Sequence, residues 1–352
     1  MTVAQFHARY MLPNRPVLID ISELTSEWRV FTDWVDATAP GAGSSDRRTL
    51  NHAHLRENFG GAMVTTYDCS AKRVMGRLPH SEMPLAQYLD WWEGKSPQQL
   101  EEVSSCGAEE PVHSRTDQKL YLKDWNFAKE NPDYKLYTCP AYFKEDWLNE
   151  HEQDHASDHR FVYLGPAGTF TPLHKDVLNS FRFGLYALQF CRVRLHSQHR
   201  HSHCVFSPAP LCSWSVNLIG RKRWWMLPPG SEDALTHPTT GKMPFDLRDA
   251  LDDLQPCVST AATKKVAKLG SKALMAGWGQ ELAELLLPQE VKQEGDETVT
   301  QLLEFEQGED EVLFVPSGWW HQVLNEAPTL SINHNWLNAA NVPSETGITE
   351  EV

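Results

Sequence analysis

Between Thr171 and Asp176 the chain reads TPLHKD, which sets His174 and Asp176 two positions apart. In an extended strand, side chains at i and i+2 point to the same face, so both can aim at one point. Far downstream, PSGWWHQV supplies His321 just after a Pro-Ser-Gly turn. Two neutral imidazoles and one carboxylate converging from two strands form the three-ligand face of non-haem Fe(II) centres, which leaves coordination positions open for a co-substrate and dioxygen. Taken alone, a His-x-Asp is an ordinary solvated strand end, and a lone histidine is usually packed or exposed. The combination gains weight from its neighbours.

The first neighbour is Lys222, in GRKRWWMLPPG. Alternation puts Lys222 on one strand face with Trp224 and Met226, and sends Arg221 and Arg223 the other way. A lysine projecting from an apolar strand suits the distal carboxylate of 2-oxoglutarate. The bland reading is a basic hairpin tip. Two more strands carry one polar face each: Ser213, Ser215 and Asn217 in SWSVNLIG, and Ser331, Asn333 and Asn335 in LSINHNW. Turned inward, these faces would line a pocket. Asn333 or Asn335 could then bond an oxoacid or support a ligand, and Thr171 could offer a hydroxyl to the same carboxylate.

The elements that must position these residues are short strands punctuated by Gly and Pro: RFVYLGP, TPLHKD, SWSVNLIG, KRWWMLPP, DEVLFVPSG, WHQVLNE and TLSINHNW. That pattern predicts a sandwich or small barrel from residue 159 to 338. Residues 1–158 read as a mixed α/β region packing on it. They hold a strand at RPVLIDI, a helix over TSEWRVFTDWV capped by Thr25 or Ser26, and a loop at 40–46. A helix at NHAHLRENFG ended by Gly60, a strand at AMVTTYD and an amphipathic helix at MPLAQYLDWWEG follow. Residues 94–117 read as loop, and KLYLKDW as strand. Residues 242–300 read as a partly helical insertion between two barrel strands.

The chain has 352 residues, 41% hydrophobic, with 32 Lys and Arg against 47 Asp and Glu and a net charge of −15. The acidic balance argues against nucleic-acid or anionic-membrane partners. No run of about 18 apolar residues predicts a membrane span, and the N-terminus lacks the pattern of a secretory signal. Seven scattered cysteines form no CxxC pair, which points to a reducing compartment, cytoplasm or nucleus.

At FVYLGPAGTFTPLHKD, SWSVNLIGRKRWWMLPPG and VLFVPSGWWHQVLNEAPTLSINHNWLN, the chain resembles the JmjC family of Fe(II)- and 2-oxoglutarate-dependent oxygenases. Within it, LYLKDW and YFKEDWLNE are similar to the lysyl hydroxylases of the eukaryotic translation termination (release) factor. The resemblance implies iron at His174, Asp176 and His321, and 2-oxoglutarate at Lys222, helped by Thr171 and Asn333. It also implies O₂ as a co-substrate, a double-stranded β-helix (jelly-roll, cupin-like) fold with flanking helices, and a protein lysine as the hydroxylated group. Histone lysine demethylation and a non-catalytic, partner-binding barrel are the competing expectations.

The sequence departs from that family twice. Residues 182–212 form a basic, patternless run of 31 residues, or 93 nucleotides. Arg182-Phe183 can be encoded with a splice donor and Cys212-Ser213 with an acceptor. Joining the flanks gives HKDVLNSFSWSVNLIGRKRW, so the run reads as translated intron. A metal cluster of His196, His199, His201, His203 and Cys204 is the rival reading. The tail at 339–352 replaces the helical region through which such enzymes form homodimers and bind substrate.

Overall fold

The computed structural model describes residues 1–36, 48–95, 118–151, 158–178, 209–237, 239–254, 267–269 and 301–338. The loop expected at 40–46, most of that at 94–117, the proposed histidine cluster and the 339–352 tail lie outside the described residues. Strands β1 (Val17–Asp20), β2 (Val35–Asp36), β3 (Thr49–Leu50), β4 (Met63–Asp68), β5 (His80–Pro84) and β6 (Leu120–Trp125) belong to the N-terminal region. After them come β7 (Arg160–Gly165), β8 (Phe170–His174), β9 (Val177–Leu178), β10 (Ala209–Pro210), β11 (Cys212–Ile219) and β12 (Lys222–Leu227). The last five are β13 (Ala267–Leu269), β14 (Gln301–Gln307), β15 (Glu311–Val315), β16 (Trp320–Asn325) and β17 (Thr329–Trp336).

Two sheets carry the fold. The larger runs β1-β15-β11-β17-β7-β6-β4-β5 and the smaller runs β13-β14-β12-β16-β8. Four antiparallel strands of each, β15-β11-β17-β7 and β14-β12-β16-β8, face one another as a jelly-roll barrel. Trp224, Met226, Leu303, Phe305 and Val323 of the smaller sheet meet Leu313 and Val315 of the larger in one buried cluster that closes part of the lumen. Strand β14 carries Leu302, Leu303 and Phe305, all buried. It was not legible beforehand because QLLEFEQ follows directly on a charged stretch and looks like its continuation.

The outer face of the larger sheet is also covered. Trp214, Val216, Leu218, Leu330, Ile332 and Trp336 pack against Phe6, Tyr10, Trp28, Trp34 and Phe143 from the N-terminal region. Every residue of β11 is therefore buried, with its apolar side toward the N-terminal elements and its Ser213, Ser215 and Asn217 side toward the lumen. The helix expected over TSEWRVFTDWV divides into Ser22–Thr25 and Arg29–Trp34, with Trp28 extended between them. Thr25 is not its cap. Its buried hydroxyl donates to Asp310 Oδ1 at 2.7 Å, and Arg48 grips the same carboxylate. The helices His52–Phe59 and Leu85–Trp92 form as expected, the first capped by the Asn51 side chain on the His54 N–H.

The end of the segment expected to be foreign is described. Ala209-Pro210 pairs with Val177-Leu178, Leu211 is buried with Leu148 and Leu337, and Cys212 opens β11 opposite Trp336. Residues 182–208 lie outside the described residues. The insertion expected over 242–300 begins as packed structure, with Leu247 buried beside Leu173 and Trp225 and its N–H bonded to Gln322 Oε1. No helix among the described residues is long and apolar enough to cross a membrane.

Trp214 is fully buried where the barrel meets the N-terminal region, 5.5 Å from the stacked Phe143 ring and 4.8 Å from the His334 ring. Truncating a buried indole leaves a cavity that rigid neighbours cannot fill. Trp214→Ala should lower unfolding stability by about 3–5 kcal/mol, read as a shifted urea midpoint.

Candidate metal and co-substrate site

Backbone pairing between β8 and β16 places His174 directly opposite His321, with an irregularity in register just after His321. Strand β8 ends at His174, so Asp176 lies in the turn beyond it rather than in the strand. The three side chains still converge, with candidate ligand atoms within 4.8 Å of one another. The Asp176 oxygens lie 3.8 Å from His174 Nε2 and 3.8 Å from His321 Nε2. The ring centroids of the two histidines are 4.2 Å apart.

Both histidines have their tautomer set from behind. His174 Nδ1 is 2.8 Å from the Pro172 carbonyl, and His321 Nδ1 is 3.1 Å from the Trp319 carbonyl. Carbonyls only accept, so each Nδ1 carries the proton and each Nε2 turns its lone pair toward Asp176. This is the orientation that a metal-binding imidazole needs. The Ser213 hydroxyl donates to Asp176 Oδ2 at 2.6 Å and fixes the carboxylate. Although 38% of the His174 side chain is solvent-accessible, the ring is crowded by protein. That desolvation first, then the like charge His321 would carry, pushes its pKa down to about 3. Both effects favour the neutral ring. The donor set of two neutral imidazoles and one carboxylate fits Fe(II).

A clamp behind the ligands ties the two strands together. Glu232 Oε1 accepts from Lys175 Nζ at 2.7 Å and from Trp320 Nε1 at 2.9 Å, and the Lys175 ammonium sits 4.6 Å over the Trp320 ring. Lys175 lies between His174 and Asp176, and Trp320 directly precedes His321. The Lys175 bond holds the Glu232 carboxyl down to about 2. Nothing in the sequence marks Glu232, which opens the short helix Glu232–Leu235 after PPG.

Lys222 lies in the lumen at 1% exposure and donates to Ser331 Oγ at 2.6 Å. Arg221 and Arg223 point outward to Glu304, Glu306 and Glu326. Among the described residues no carboxylate lies within ion-pair distance of Lys222. Gly220 makes this aim possible: its φ is +75°, and a Cβ there would sit 2.0 Å from the Pro328 carbonyl oxygen. Thr171 and Asn333 also reach the lumen. Thr171 lies beside the fully buried Tyr121 hydroxyl, and Asn333 Oδ1 accepts from Ser215 Oγ at 2.8 Å. Burial drives the Tyr121 phenol well up, and it stays protonated as a donor. In KLYLKDW the alternation of Leu120 and Leu122 against Tyr121 was the available signal for this residue.

A family model described as a cupin-like domain matches residues 3–341. The chain belongs to the cupin-like JmjC family. Among curated relatives of this cupin-like chain is the 2-oxoglutarate and iron-dependent oxygenase JMJD4 of Gallus gallus, 30% identical over 342 residues. That match covers 97% of this chain and 59% of the relative. The arginine-specific demethylase JMJ20 of Arabidopsis thaliana is 29% identical over 358 residues, 97% of this chain and 56% of its own length. The bifunctional arginine demethylase and lysyl-hydroxylase psr-1 of Caenorhabditis briggsae is 25% identical over 237 residues, 66% of this chain and 44% of its own length. The cupin-like chain thus spans less than two thirds of the relatives it matches.

The Glu232 clamp predicts a specific defect. Glu232→Ala should weaken Mn(II) binding about tenfold, because Lys175 and Trp320, which flank the ligands, lose the tie that orients them, and leave far-UV circular dichroism unchanged. His174→Ala, which removes a ligand, should abolish measurable Mn(II) binding in the same titration.

Proposed function

We propose that this chain is an Fe(II)- and 2-oxoglutarate-dependent oxygenase that hydroxylates a lysine side chain of a protein, with the translation termination factor as the leading substrate. The observation that carries the oxygenase reading is the pairing of two features in one lumen. One is a His-His-Asp face with both Nε2 lone pairs turned inward. The other is a buried ammonium with no counter-charge among the described residues. A buried charge without a partner is costly, and a dicarboxylate that reaches from Lys222 to the metal face removes that cost.

His174, Asp176 and His321 would hold the iron, which supplies O₂ activation coupled to oxidative decarboxylation of 2-oxoglutarate. Lys222 binds the distal carboxylate by a charge-assisted hydrogen bond, with the Thr171 hydroxyl and the Tyr121 phenol beside it. Ser331 holds the Lys222 ammonium in place, and Ser213 holds the Asp176 carboxylate. The apolar plug of Trp224, Phe305, Leu313 and Val323 keeps water from that end of the lumen. The names of JMJD4 and psr-1 support oxygenation and lysine hydroxylation. The names of JMJ20 and psr-1 favour a second reading, demethylation of a methylated arginine.

Mass spectrometry separates the two. Incubation of a release-factor peptide with the chain, Fe(II), 2-oxoglutarate and O₂ should add the mass of one oxygen to a lysine. Loss of a methyl group from a methylated histone peptide, with no oxygen added to the release-factor peptide, would replace hydroxylation by demethylation.

Lys222 also sets a pH dependence. Burial first, then the nearby Lys123 charge, lowers its pKa from 10.5 to about 7. Carboxylate binding needs the ammonium form. The affinity of the Mn(II)-loaded protein for 2-oxoglutarate should therefore fall as pH rises above about 7, approaching tenfold per unit. Folding stability runs the opposite way. Between about 7 and 10.5 the unfolded chain binds the proton that the folded chain has lost, so this residue's contribution rises with pH. Calorimetric titrations at a series of pH values read the first effect, and Lys222→Met should flatten it.

A further inference from the structure

Lys123 is a second lysine facing the lumen that the mechanism above does not use. It follows Tyr121 by two residues on β6, and its Nζ lies 5.4 Å from the Tyr67 ring and 5.9 Å from each of the Tyr121 and Tyr163 rings. The backbone is built to aim it there. The β6–β7 pairing shifts register between Leu122 and Trp125, and Asp124 in that bulge has φ +62°. Bulges and left-handed non-glycine residues cost free energy and recur where a side chain must be re-aimed at a site. Asp124, the next residue, is directed to other partners: its two oxygens accept from the Tyr163 and Tyr67 hydroxyls at 2.9 and 3.3 Å. No ion pair to Lys123 is present among the described residues.

The position along the lumen indicates what it binds. Tyr163 pairs with Ser331, the partner of Lys222, and the same face of β17 continues through Asn333 to Asn335, which lies opposite Ser213, the partner of Asp176. Because β6 and β17 each run antiparallel to β7, moving from Tyr121 to Lys123 moves toward the metal face. The Lys123 charge is felt at Lys222. We propose that Lys123 is a second carboxylate-binding residue of the pocket, taking the metal-side carboxylate of 2-oxoglutarate while Lys222 takes the distal one. This rests on the co-substrate reading given under Proposed function.

The full chain loaded with Mn(II) tests it by calorimetry with three probes: 2-oxoglutarate, oxalate, which has only the metal-side carboxylates, and glutarate, which lacks the oxo group. Lys123→Met should weaken oxalate, 2-oxoglutarate and glutarate, each of which carries a metal-side carboxylate, about tenfold, the loss of one charge-assisted bond. Lys222→Met should weaken 2-oxoglutarate and glutarate and spare oxalate. Mn(II) alone should bind Lys123→Met as tightly as wild type or more so, since a like charge is gone, and Lys123→Arg should keep oxalate affinity. If Lys123→Met fails to fold, Lys123→Gln is the neutral variant. Unchanged oxalate affinity in the neutral variant, with 2-oxoglutarate still lost in Lys222→Met, overturns the role of Lys123 alone. Failure of wild type to bind 2-oxoglutarate overturns the co-substrate reading itself.

Discussion

The antiparallel pairing of β8 with β16 is the constraint on which the candidate site rests. It brings together two histidines separated by most of the barrel sequence and sets them face to face with ring centroids 4.2 Å apart. A slip of one residue in either strand would turn one imidazole out of the lumen, because the side-chain period of a strand is two. Register is held on both sides. On the outer face Glu232 ties Lys175 to Trp320, and within the strands the Pro172 and Trp319 carbonyls hold the two rings. The metal face is thus a consequence of sheet pairing more than of local loop structure.

The lumen is electrostatically unbalanced in a directed way. Lys222 and Lys123 both face it, and among the described residues the carboxylate turned to the same space, Asp176, belongs to the candidate metal face. By contrast the outward arginines of the same hairpin, Arg221 and Arg223, are matched by Glu304, Glu306 and Glu326. In a chain of net charge −15, a buried ammonium left unmatched among the described residues is the ground on which an anion from outside is proposed. The unmatched lumen and the matched surface lie on opposite faces of one strand.

The seven strands of the barrel read from turn residues and alternation all form, and the flanking strand β6 with them. Three features did not follow from local pattern. Strand β14 was hidden by the charged sequence before it. The Ser22–Trp34 stretch is broken because Thr25 serves Asp310, a partner 285 residues away, and not its own helix. The segment before β11 was read as foreign up to Cys212, yet its last residues pair with β9 and pack on Leu337. In each case a long-range contact outweighed what the neighbouring residues preferred.

The sequence by itself determined the chemistry available: His174, Asp176 and His321 as a donor set, Lys222 as the inward cation, and polar faces at 213–217 and 331–335. It could do so because strand alternation is a local rule and ligand chemistry depends on residue type. Only the tertiary structure decided that these faces meet in one lumen, that both Nε2 atoms point inward, and that Asp176 lies beyond the end of the strand. It also supplied Glu232, Tyr121 and Lys123, whose neighbours in sequence are unremarked turn and strand residues. Their positions arise from pairing across β6, β7, β8, β16 and β17, and pairing between distant strands is set by cooperative packing that no short window of sequence contains.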